Sequence, residues 1–141
     1  MDHKEKVSQG INKASTIFSN CYKTFDEKIE FLKKVHEDSQ YPYTCEHKDE
    51  ILEAVQILGD NAKDADPRKQ QQAYLAELVK KFMSNDSKEE LIFYFKNNEI
   101  LFNIFCLMYV HFNKKDASEK EKQAHAFLLG PLFKTVEKII F

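Results

Sequence analysis

The 141-residue chain has no tryptophan, a single arginine (Arg68), three glycines and three prolines. Most of the six turn formers (Gly10, Gly59, Gly130, Pro42, Pro67 and Pro131) fall where apolar periodicity stops, which is how a helical protein is punctuated. One Arg among twenty-one basic residues, with no basic block, leaves no set of guanidinium forks for phosphates and guanine edges. A net charge of −2 supplies no field that would gather polyanions, so nucleic acid is not an expected partner. Long apolar runs are missing too. The best, Ile100 to Phe112, contains Asn103 and His111 and falls short of the roughly twenty residues that a membrane span needs. The opening "MDHKEKVSQG" lacks the apolar core of a signal peptide, which makes the cytoplasm the expected location and leaves a signal-less route of secretion open. Cys21, Cys45 and Cys106 are odd in number and share no metal-type spacing, the pattern of free thiols in a reducing compartment.

What is present is apolar periodicity. Apolar residues at 43% and charged residues at 31%, in a chain of this length, fit one globular domain over residues 1–141. Val7, Ile11, Ala14, Phe18, Cys21, Phe25, Leu32 and Val35 step by three and four, with Lys28 interrupting the face. One helix over about 4–38 accounts for the pattern. Two helices do so equally, because Thr24 and Glu27 form a capping box that can restart the chain. "SQYPYTC" (39–45) reads as a loop around Pro42. A helix over about 46–58 follows, with Ile51, Ala54, Val55 and Leu58 inward and Gly59 as its cap. Asp66 and Pro67 start a third, carrying Tyr74, Leu75, Leu78, Val79, Phe82 and Met83 inward, and Ser87 with Glu90 caps the next.

"LIFYFKNNEILFNIFCLMYVHF" (91–112) is the apolar centre of the sequence. Lys96, Glu99, Asn103 and Lys114 fall on one narrow helical line, and the remaining circumference is largely apolar. The spacing therefore predicts a helix over 100–113 that is surrounded by its neighbours. Phe93, Phe95, Phe102, Phe105 and Phe112 are expected in the core, at roughly 1.5 to 3 kcal/mol each when buried. Beyond a third capping box (Ser118, Glu121), a last helical region bears Ala124, Phe127, Leu128, Leu132, Val136 and Ile139, bent at Gly130 and Pro131. The terminal "VEKIIF" is expected to dock Ile139, Ile140 and Phe141 onto the protein's own core, or across a two-fold axis in a homodimer. The architecture expected is all-α: a single compact bundle of five to seven helices around a Phe-rich central helix.

Sites of chemistry are sparse. No Glu stands three residues before any of the five histidines, which removes the paired Glu-x-x-His ligands of a di-iron bundle, and no metal or cofactor is expected. "AHAFLLG" (124–130) resembles the phosphoacceptor motif of histidine phosphotransfer domains, but that family carries Lys three residues after the His, where this chain has Leu128. His125 is assigned to a helix boundary. Asn103 and His111 are read as hydrogen-bonded or edge positions of the central helix. Cys45 and His47 lie two apart at a helix start, where a thiol can be activated, and give one alternative, a thiol-dependent enzyme. A second is a carrier of an apolar ligand inside the bundle. The favoured reading is a protein-binding module, an adaptor or inhibitor, whose partner surface comprises Tyr41, Pro42, Tyr43, Cys45 and His47. Two Tyr flanking a Pro put amphipathic rings of the kind that dominate binding hot spots on a stiff segment.

Overall fold

The computed structural model describes the backbone of residues 3–61, 63, 65–112, 130 and 134–140, with side chains from residue 10 onward except those of 65, 67, 68 and 112. All of the regular structure among these residues is helical. The order is α1 (His3–Cys21), α2 (Phe25–Glu37), α3 (Tyr41–Thr44), α4 (Lys48–Asn61), α5 (Ala65–Phe82), α6 (Lys88–Lys96) and α7 (Glu99–Phe112), with a further helical stretch at 134–140.

The capping box decides between one long first helix and two. Thr24 is extended, its hydroxyl accepts from the Glu27 N–H at 3.1 Å, and Glu27 reaches back to the Lys23 N–H, so α2 starts afresh after a three-residue break from α1. The expected loop at 39–45 instead holds one helical turn, α3. Pro42 lies in its first turn, where a missing N–H costs nothing and the locked φ is already helical. Gly59 is not a cap either, since α4 continues to Asn61. Ser87 and Glu90 form the reciprocal box that opens α6. Asn97 and Asn98 close it by donating to the carbonyls of Phe93 and Tyr94 at 2.8 and 2.7 Å. No residue among those described has a positive φ, so each described reversal of the chain uses right-handed or extended backbone.

α7 is the central helix. Leu101 to Leu107, Tyr109 and Val110 are buried, and the helix touches α1, α2, α4, α5 and α6. Phe95 stacks on Phe105 at 5.3 Å; Phe102 meets Phe25 and Phe95, and Phe105 meets Phe82. α1 packs most extensively on α4. A Cβ on Gly10 would come within 2.8 Å of the Asn61 side chain, while Cys21 lies beside Glu50 at the other end, so the two helices run antiparallel.

Two members of the polar line on α7, Glu99 and Asn103, are bonded to α1 and α2. Asn103 donates to the Ser15 and Ser19 hydroxyls at 2.8 Å, and Lys28, its side chain 4% exposed, bonds Ser19 and pairs with Glu99 at 3.2 Å. The interruption at Lys28 on the first apolar face and the one at Asn103 on the central helix belong to one cluster. It joins α1, α2 and α7.

Three residues expected inside are outside, among them Ile100 at the start of α7. Phe93 is 71% exposed, because Leu91 and Phe95, one turn apart, take the inner face of α6 and leave residue 93 diametrically opposite. Met83 is 66% exposed, because the chain turns after Phe82, with Ser84 bonding the Lys81 carbonyl, and carries residue 83 off the α5 face. At the other terminus, Val136, Ile139 and Ile140 are buried in the common core of the single chain, as self-docking requires. Phe112 as a side chain, Lys114, the box at Ser118 and Glu121, His125 and Phe141 lie outside the described residues. Among those described, no helix is long and apolar enough to cross a membrane.

Candidate functional site

Three features could carry function: the turn joining α3 to α4, the outer face of α6, and a cavity between α1, α4, α5 and α7.

At the turn, the Tyr41 ring packs against Phe31 at 6.1 Å with the Lys34 ammonium 5.4 Å from its centroid. Tyr41 and Tyr43 are half-buried and Pro42 is buried. Cys45 caps α3, so its side chain folds back on that turn, where the buried thiol donates to the Pro42 carbonyl at 3.7 Å. His47 belongs to the next element and accepts the first α4 bond, from the Ile51 N–H. Cys45 thus belongs to the end of α3 and His47 to the start of α4.

The group beside His47 is Cys21. The Cys21 sulfur, a His47 ring nitrogen and a Glu50 carboxylate oxygen all lie within 4.8 Å of one another. Tyr22 sets its ring edge-on to the imidazole at 5.4 Å and packs on Phe31 at 4.8 Å. Burial first, then the Glu50 carboxylate and the Cys45 thiol, raise the Cys21 pKa above its ordinary 9.0. A raised pKa keeps the thiol protonated to higher pH. Burial, followed by Cys45 and Tyr41, likewise pushes the Tyr22 phenol far above 10.0. No spacing rule could have found the Cys21 grouping, which exists only because α1 and α4 pack antiparallel.

On the outer face of α6, Phe93 borders a shallow depression of about 440 Å³ lined by Lys81, Asp86, Glu89, Glu90, Tyr94 and Asn97 among others. The Lys81 ammonium lies 4.1 Å from the Tyr94 ring centroid and pairs with Asp86, tying the end of α5 to α6. Glu89 and Glu90 then give the rim its negative charge. This face was legible in principle, since Leu91 and Phe95 already define the inner side.

The cavity, about 170 Å³, is lined by Ile11, Val55, Leu58, Tyr74, Leu107 and Met108 together with further residues of the same helices. Small-molecule pockets run to about 300–1,000 Å³, and this space among the described residues is smaller. Compared with protein-family models, with curated proteins and with solved structures, the chain matches none of them.

Proposed function

We propose that the protein is a binding module that acts on another protein by occupying its surface. The observation that carries this reading is Phe93, a large aromatic left 71% exposed beside an acidic-rimmed depression on a helix whose other side is firmly buried. Aromatic side chains and Met are the residue types that interfaces enrich, and Met83 stands exposed two positions beyond Lys81, which forms part of the same depression. A fitting partner offers an apolar side chain to Phe93 and a basic group to Glu89 and Glu90. Tyr41, Tyr43 and His47 form a second contact surface in this reading, supported from within by Pro42 and Cys45.

Phe93→Asp tests the reading, because a residue so exposed can be changed without disturbing the core. Wild type and variant, used side by side as baits in an extract of the native host, should differ in one enriched protein. The purified partner should then bind the variant at least about tenfold more weakly, or 1.4 kcal/mol, with circular dichroism unchanged. Equal binding by both would end the proposal for this face. Tyr41→Ala with Tyr43→Ala, measured against the same partner, ranks the second surface.

A further inference from the structure

We propose that Cys21, His47 and Glu50 form a site for a single divalent zinc ion. The three residues come from the last position of α1, the residue before α4 and the first turn of α4, elements held together by the most extensive helix pairing in the fold. Their donor atoms, one sulfur, one imidazole nitrogen and one carboxylate oxygen, are the three kinds that zinc takes, and they already lie within 4.8 Å of one another. Bond lengths of about 2.0 to 2.3 Å put neighbouring donors of a tetrahedral site roughly 3.3 to 3.7 Å apart. Glu50 is exposed and Cys21 only half-buried, so both side chains have room to rotate toward an ion.

The surroundings suit a cation. Cys21 and His47 face a depression of about 380 Å³ whose walls include Asp26, Glu27, Glu30 and Glu46, opposed there by Lys34 alone. That acidic lining concentrates a dication and gives it a path from solvent. Tyr22, packed edge-on against His47, fixes the ring plane. Binding exchanges the Cys21 thiol proton, released to the buffer, for a sulfur–zinc bond, and the fourth position stays open to water. Three protein ligands with one open position is the arrangement of sites that exchange a ligand.

The test uses the full chain, stripped with a chelator and titrated with zinc against a chromophoric competitor, then with cobalt as a spectroscopic substitute. Expected are one zinc per chain, a thiolate-to-cobalt charge-transfer absorption and the intense visible bands of a four-coordinate ion. Cys21→Ser should abolish the charge-transfer absorption; His47→Gln and Glu50→Gln should each weaken zinc by about tenfold or more; Cys45→Ala should keep the absorption. Glu50 is exposed, so Glu50→Gln reports on the site even if Cys21→Ser disturbs the fold. Absence of stoichiometric binding, retention of the charge-transfer absorption in Cys21→Ser, or equal affinity in Glu50→Gln would overturn the proposal. Phe93→Asp should leave zinc binding unchanged, which separates this result from that of the partner-binding face.

Discussion

α6 and α7 are cut from one apolar stretch and meet opposite fates. α7 has neighbours on nearly every side, and its apolar residues from Leu101 to Leu107 are buried whatever their angle. α6 has a core on one side only, so Leu91 and Phe95 go in and Phe93 stays out. α6 carries four charged residues in nine and α7 one in fourteen, and the number of packed sides differs with them. An apolar residue is therefore assigned to the core by its angle and its neighbours, and the residue whose angle points away is the one left available for another molecule.

The contrast can be broken most severely by uncovering the core. Deleting residues 139–141 removes the buried Ile139 and Ile140, at roughly 1.5 to 3 kcal/mol each, and should lower the unfolding free energy by roughly 3 to 6 kcal/mol in denaturant titrations. Sedimentation should show the same mass before and after, as docking within one chain requires. Phe105→Ala inside α7 should cost about 3 to 5 kcal/mol, because the ring stacks on Phe95 and packs on Phe82 and Phe102.

A smaller effect tests the polar line of α7. The Ser19 hydroxyl and then the Lys28 ammonium hold the Glu99 carboxyl below its ordinary 4.5, so folding favours its charged form. That contribution is complete above about pH 4.5 and is lost as pH falls through the lower folded-state value. Glu99→Gln should therefore lower the melting temperature slightly at pH 7, and the gap between the two proteins should narrow on acidification below 4.5. With the Glu99 side chain 61% exposed, solvent screening keeps the gap small. A gap that widens in acid would show that Lys28 is not held by this carboxylate. The smallest effect sharpens the contrast: Phe93→Ala, against the same denaturant curve as Phe105→Ala, should change stability by no more than about 0.5 kcal/mol.

Much of the fold was legible because each signal was local. Thr24 with Glu27 and Ser87 with Glu90 mark helix starts by hydrogen bonds spanning three residues, and the density of large apolar residues after Ile100 marks the central helix. Lys28 and Asn103 were visible as interruptions on two faces, but their union needed the crossing of α1, α2 and α7. The same limit applies to chemistry. Cys45 and His47 drew attention because they are near in sequence, whereas the grouping of His47 with Cys21 is supplied by long-range packing. Pro42 misled in a simpler way, since the residue that argues for a loop is equally at home in the first turn of a helix.

The right-handed and extended backbone at every described reversal has a consequence for how this protein can change over time. A left-handed turn ties a lineage to glycine at a fixed place, and its loss strains the chain. Here the described connections carry no such tie. Selection is left to act on the interior and on a few close approaches such as Gly10 against Asn61, where space and not dihedral angle demands the small residue. Two descendants of this chain can keep the bundle while rewriting the described turns without holding glycine at a fixed place, provided that the helix caps such as Thr24 and Ser87 are kept.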